Sequence, residues 1–146
     1  GPMNSVSDVQ NVSGHKDWLI GGFPVCLDRP GDVHVTGVVA EDGNVQVVGY
    51  GLRPNPTRTG GTMVGTWPTD VTPPDPIRTQ EKEALTYVCG TASDDFYELV
   101  VTVRAGTVTT HTDGFIAHFE SGGVAGELVM PHGVTLCVRA VDAGCA

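Results

Sequence analysis

The sequence predicts an all-β protein with little helix, and two patterns support that prediction. Short apolar runs recur at spacings of roughly ten residues, as they do in β-sandwiches and barrels. Gly, Pro and Asp-Gly pairs separate the runs, which is typical of tight turns between strands. We therefore predict a single-domain antiparallel β-sandwich, immunoglobulin-like or related, with about eight to nine strands.

Length and composition agree with one domain of this kind. The chain has 146 residues, which is enough for one hydrophobic core and short for two. Hydrophobic residues make up 40% of the chain but aromatic residues only 6%, so the core must consist mainly of Val and Leu. Branched Val side chains suit a pleated surface, which again favours sheet.

The N-terminal residues predict a flexible arm ahead of this domain. Residues 1–16 are polar and aperiodic, and Gly1-Pro2-Met3 is typical of the remnant left by a tag-cleaving protease. The predicted sandwich domain covers residues 17–146. No run approaches the roughly 20 apolar residues of a transmembrane helix, and we expect a leader or an anchor upstream of this sequence.

A hairpin is predicted in the first half of the domain. Val33, Val35 and Val39 share one face of an extended segment at residues 33–40. Asp42-Gly43 follows, a pair that accepts the positive φ of tight hairpin turns. We therefore predict that a return strand at residues 45–52 pairs with this segment.

The last third of the chain, residues 96–139, predicts an antiparallel meander. One extended segment alternates regularly, and later apolar runs are separated by Gly or Asp-Gly. Apolar residues of this region lie on one face at Tyr97, Leu99, Val101 and Val103, and then return in runs at 115–119, 128–130 and 134–138.

Residues 53–83 form a long stretch rich in Pro and Gly, and it is the best candidate for partner contact. Six of the ten prolines lie there, one short strand is predicted at 62–67, and residues 77–85 offer the one plausible helical turn. Long loops in compact domains often carry function, and Trp and Arg are enriched at interfaces. We predict that Arg58, Met63 and Trp67 contact a partner protein, although Trp67 capping the core is an equal alternative.

The charge balance excludes some partners. Eight Lys and Arg oppose 17 Asp and Glu, which gives a net charge of −9. The cations are scattered singly, so the chain offers no basic patch to nucleic acid or to anionic lipid. A protein partner is predicted, with a neutral or basic surface.

Four cysteines predict two disulfides. None forms a Cys-x-x-Cys pair, which argues against a structural metal site. Four cysteines allow three pairings, and of these we favour a long-range Cys26–Cys89 bond with a local Cys137–Cys145 bond. Paired cysteines predict an extracellular, periplasmic or cell-surface location. Four buried free thiols in a cytosolic protein are the alternative.

Three histidines and a methionine form a candidate metal site. His111, His118, His132 and Met130 would form a soft donor set suited to copper if neighbouring strands brought them together. Solvated histidines on polar strand faces are the simpler interpretation, because no spacing enforces convergence. Pro131 also disturbs the register between Met130 and His132.

No catalytic motif stands out, so the chain is predicted not to be an enzyme and to need no cofactor. None of its serines lies in Gly-x-Ser-x-Gly. The predicted function is a non-catalytic extracytoplasmic binding or structural module that contacts another protein through a loop or a sheet edge. Copper binding is one alternative, and a small hydrolase with a loop-built site is another.

Overall fold

The computed structural model describes residues 6–12, 14–54, 65–69, 84–90 and 97–145. These residues form ten strands and no helix, so the predicted all-β class is confirmed with slightly more strands than expected. Within these ranges, no helix has the length and apolar character to cross a membrane. The strands are β1 (Val6–Asn11), β2 (Asp17–Val25), β3 (His34–Ala40), β4 (Gln46–Pro54), β5 (Gly65–Pro68), β6 (Tyr97–Arg104), β7 (Thr110–Thr112), β8 (Phe115–Ser121), β9 (Val124–Met130) and β10 (His132–Cys137).

The strands form three sheets in a sandwich-like arrangement. Their orders are β4–β6–β2–β5, β3–β8–β9 and β1–β10–β7. Strand pairs are antiparallel except β1 with β10, which is parallel. Residues 6–11, which the sequence placed in a flexible arm, therefore form a strand. Their sequence lacks apolar alternation, and the backbone pairing with β10 is a tertiary feature that composition does not reveal.

β6 is the central strand of the core. Leu99, Val101 and Val103 are at most 1% exposed, as their alternation predicted, and Tyr97 packs against the same cluster. The core also contains Phe115, together with apolar side chains of the other sheets. Burying each Leu or Val side chain contributes roughly 1.5–3 kcal/mol, so this strand supplies much of the driving force for folding.

An ion pair closes one end of the β2–β6 pairing. Asp17 lies directly opposite Arg104 in register. The guanidinium donates from Nε at 2.9 Å and from Nη2 at 3.2 Å to the two carboxylate oxygens. These hydrogen bonds from Arg104 hold the pKa of Asp17 below its usual value.

The hairpin predicted for residues 33–40 and 45–52 is wrong. β3 pairs with β8, whereas β4 pairs with β6 in another sheet. Gly43 does adopt a positive φ of 66°, but its turn carries the chain from one sheet to the other. The polar groups of residues 41–44 bind residues 111–114 and thereby direct the two strands apart.

We call this set of hydrogen bonds the turn contact. The Asp42 carboxylate accepts from the Asp113 backbone N–H at 2.7 Å and from the Thr112 hydroxyl at 3.1 Å. Asn44 donates its backbone N–H to the His111 carbonyl at 3.1 Å, and its side-chain oxygen accepts from the His111 backbone N–H at 2.9 Å. The backbone hydrogen bond from Asp113 is the main reason that the pKa of Asp42 is lowered.

The predicted C-terminal meander is only partly correct. β8 and β9 form a hairpin through Gly122 and Gly123, which have φ values of 58° and 81°. β6 and β10, however, belong to the two other sheets. Alternation identified the strands, but it contained no information on which strand each one would pair with.

Both predicted disulfides are present. Cys26 bonds to Cys89 and Cys137 to Cys145, with Cα–Cα distances of 5.1 and 5.9 Å. No cysteine is free. Two disulfides are typical of proteins that mature in an oxidising environment.

Candidate functional site

β9 lies at an edge of the β3–β8–β9 sheet, and none of the described strands pairs with its outer side. Its seven residues pair with β8 in continuous register without a bulge. A row of backbone N–H and C=O groups on such an edge is a template for another extended chain. We call this open side of Val124–Met130 the β9 edge.

The β9 edge carries three exposed apolar side chains. Val124 is 70% exposed, Val129 50% and Leu128 46%. Single exposed apolar residues are ordinary, but three on one edge strand indicate a surface suited to association.

Val129 extends an apolar row across the outer face of the sheet. It lies opposite Ile116 on β8, and Ile116 in turn lies opposite Val39 on β3. Val39 is 46% exposed and Ile116 is half-buried. These three branched side chains form what we call the outer apolar row.

Leu128 and Val124 lie on the other, inner face. Leu128 is opposite Ala117, which is buried in the core. Because side chains alternate along a strand, Val124 shares this face with Leu128. Both remain exposed since β9 is the last described strand of its sheet.

Little charge protects this edge. Glu127 is the one charged residue of β9, and its Oε1 lies 3.6 Å from Nδ1 of His118 on β8. Both side chains are more than 40% exposed, so their pairing contributes little to stability. Natural edge strands are usually protected by Lys, by Pro or by a bulge, and β9 has none of these within its seven residues.

The predicted contact residues of the long loop lie mostly beyond the described structure. Arg58 and Met63 fall outside the described residues, as does most of the helical turn predicted at 77–85. Trp67 lies on β5, where its backbone pairs with Leu19, but its side chain is not among those described. The short strand predicted at 62–67 overlaps β5 at residues 65–67, and its residues 62–64 lie outside the described ranges.

The four predicted copper ligands lie on four different strands or strand ends. Met130 ends β9, whereas His132 begins β10 in another sheet, so the two do not continue one strand. The His132 ring packs edge-on against Phe23 with centroids 5.0 Å apart. His118 lies beside Glu127 at the β8–β9 pairing.

His111 makes a different set of contacts. Its Nδ1 lies 2.8 Å from the Thr135 hydroxyl, and its Nε2 lies 2.8 Å from the Asp113 carboxylate. No group of three or more His, Cys, Asp or Glu side chains in the described ranges is arranged to hold a metal ion. The copper site therefore stays a prediction.

The Thr135–His111–Asp113 chain resembles a nucleophile, base and acid in composition. Thr135 is only 4% exposed, whereas the Asp113 side chain is 72% exposed. A nucleophile must reach its substrate, and the acid that orients the base is normally the shielded member. Here the hydroxyl of Thr135 is buried and the carboxylate of Asp113 is exposed, which is the reverse order. These contacts therefore fit a structural role, in which they stabilise the pairing of β7 with β10.

Sequence reasoning did not single out the β9 residues. The run at 128–130 was identified as strand, but nothing in it distinguishes an edge from the centre of a sheet. The signal that does exist is the apolar character of both Leu128 and Val129, which puts apolar side chains on both faces. Only the sheet order turns that signal into a site.

No protein-family model, curated protein or solved structure is detectably similar to this chain. The fold and the site define a disulfide-bonded, all-β, sandwich-like domain with an apolar edge strand whose outer side no described strand pairs with.

Proposed function

We propose that this chain is a non-catalytic protein-binding module outside the cytoplasm, and that an extended segment of its partner adds to the β9 edge. The observation that supports this most is the unprotected, regular edge with three exposed apolar side chains. In strand addition, backbone hydrogen bonds supply affinity and alternate side chains supply specificity. β9 offers both.

The chemistry of the partner follows from the surface of β9. A neutral or basic segment with apolar residues on both faces would meet Val129 outside and Leu128 inside. The net charge of −9 opposes the approach of a second copy of the chain. A different protein is therefore the proposed partner.

The location is supported by the cysteines. All four are used in disulfides, which are rare in cytosolic proteins. An extracellular, periplasmic or cell-surface site agrees with this chemistry.

Photo-crosslinking in cells of the source organism tests the proposal. Benzoylphenylalanine replaces Val129 or Val124 in two variants, and Val141 in a control variant. Val141 is 78% exposed and lies in the C-terminal loop. We expect both β9 positions to yield one common protein adduct that is absent at Val141. An adduct equally strong at Val141, or none at β9, would contradict the proposal.

The identified partner is then tested with purified proteins. Val129→Lys places a protective charge on the edge, and we expect the affinity to fall about tenfold or more. Val129 is half exposed, so the free energy of unfolding should change by less than about 0.5 kcal/mol. Self-association in sedimentation experiments that Val129→Lys abolishes would instead indicate a homodimer.

The alternative functions keep their own tests. Copper binding through His111, His118, His132 and Met130 is tested by calorimetric titration with Cu²⁺. A Kd weaker than about 10 μM would exclude the copper-binding hypothesis. A nucleophile-directed probe library tests the hydrolase hypothesis.

A further inference from the structure

A cavity of about 490 Å³ opens between the sheet that contains β2 and β6 and the β3–β8–β9 sheet. Its volume lies within the roughly 300–1,000 Å³ of small-molecule sites. All the described residues that line it are apolar except Asp28 and Glu127.

The interior wall of this cavity is deeply buried, and its mouth is open. Leu52 and Leu99 are each 1% exposed, and Leu85 is 5% exposed. Leu128, at 46% exposure, lines it at the β9 edge. A molecule that enters would exchange water for aliphatic contacts on several sides, which favours apolar ligands.

Covalent and backbone bonds hold one wall in place. Cys26 lines the cavity and is bonded to Cys89. Leu27 donates to the Tyr87 carbonyl and accepts from the Cys89 N–H, both at 2.7 Å. Val33 and Leu85 exchange backbone hydrogen bonds of 3.0 and 2.7 Å. The site is therefore preformed, which reduces the entropy lost on binding.

The charges at the cavity select among apolar ligands. Both charged lining residues are carboxylates, and the described lining contains no Lys or Arg. The carboxylate of a fatty acid would find no lining cation there and would meet the exposed Asp28 carboxylate, whereas the Glu127 carboxylate lies 3.6 Å from His118 on the outer face of β9. A neutral or cationic polar end avoids that repulsion.

We propose that this cavity binds a small amphiphile that has an aliphatic or aromatic apolar part and a neutral or cationic polar end. This binding goes beyond the strand addition proposed above and does not depend on it. The inner face of β9 contributes Leu128 to the cavity, whereas the outer apolar row lies on the opposite face.

Fluorescence titration tests the proposal on the complete chain. The neutral probe N-phenyl-1-naphthylamine should bind saturably with a Kd of about 100 μM or tighter. Below their micelle concentrations, dodecylamine and dodecanol should displace it, and dodecanoate should compete at least about tenfold more weakly. Absence of saturable binding, or strongest competition by dodecanoate, would overturn the proposal.

Two matched variants locate the binding site. Leu128→Trp fills the mouth of the cavity and should weaken probe binding about tenfold or more. Val124→Trp adds the same side chain on the same face of β9, outside the cavity lining, and should leave binding unchanged. Equal effects of both substitutions would overturn the assignment.

A third measurement separates this site from the partner interface. Probe binding is measured with the isolated protein, so failure of the crosslinking experiment would leave it standing. If the partner that crosslinks to Val129 displaced the probe competitively, the cavity would belong to the protein interface and a separate small-molecule site would be excluded.

Discussion

Gly43 illustrates how much depends on single backbone positions in this chain. Its φ is 66°, and a Cβ there would collide with the carbonyl group of His111. Gly122 has a similar φ of 58°, but a Cβ would meet nothing within 4 Å. The two glycines thus share a conformation and differ in their surroundings.

This difference predicts the ranking of two alanine variants. Gly122→Ala should lower the free energy of unfolding by about 1–2 kcal/mol, the cost of left-handed backbone for an L-residue. Gly43→Ala should cost clearly more, because the turn contact must also open. Urea unfolding of both variants measures the difference. Equal losses in the free energy of unfolding would mean that residues 111–114 move aside at no energetic cost.

At the scale of elements, the turn contact joins the β3–β4 connection to the β7–β8 turn. Asp42 is its charged member, and its pKa is lowered chiefly by the backbone N–H of Asp113. A carboxyl group with a lowered folded-state pKa stabilises the protein above its unfolded pKa of about 3.9. That stabilisation is lost as the pH falls through the lower, folded-state value.

Asp42→Asn should therefore have a pH-dependent effect. We expect the variant to be less stable than the wild type at pH 7, and the difference to shrink below about pH 4 as Asp42 becomes protonated. Urea midpoints measured from neutral to strongly acidic pH test this. Asp32→Asn, which removes an exposed carboxylate outside the turn contact, is the control. A difference that stays constant over the whole range would contradict the assigned role.

The turn contact also explains why the hairpin prediction failed. Asp-Gly correctly indicated a tight turn with positive φ at Gly43. A two-residue signal describes only the local backbone, however, and the partners of Asp42 and Asn44 lie some 70 residues away. Those long-range hydrogen bonds make the turn a crossover between sheets.

At the scale of the whole molecule, the two disulfides close loops of very different size. Cys26 and Cys89 are 63 residues apart, whereas Cys137 and Cys145 are 8 apart. A cross-link restricts the unfolded chain more when the loop is longer. The Cys26–Cys89 bond should therefore contribute more to global stability.

Reduction of variants with one remaining disulfide tests this order. In Cys137→Ala/Cys145→Ala, a reductant should lower the free energy of unfolding by about 4 kcal/mol. In Cys26→Ala/Cys89→Ala, the loss should be about 2.5 kcal/mol. Each variant is compared with itself in the presence and absence of reductant, so the packing effects of its Cys→Ala substitutions cancel. A larger loss from the shorter loop would contradict the loop-entropy argument.

The all-β class and most strand positions follow from the sequence alone, and the sequence favoured the cysteine pairing that the structure contains over the two other possible pairings. These depend on local alternation, on turn residues such as Gly122 and Gly123, and on the presence of only four cysteines. The burial of Leu99, Val101 and Val103 is the clearest case, because their alternation puts all three on one sheet face that must exclude water. The burial of Val100 on the opposite face was not predicted.

The strand partners, and with them the candidate site, become apparent only in the folded molecule. β9 is an edge of the described sheet because β8 pairs on its other side with β3, and the cavity is lined by residues of two sheets together with Cys26. Alternation specifies which face of a strand is apolar, but hydrogen bonds along a strand are the same for any neighbour. Sheet order is therefore set by packing and by long-range contacts such as those of Asp42, which no local pattern contains.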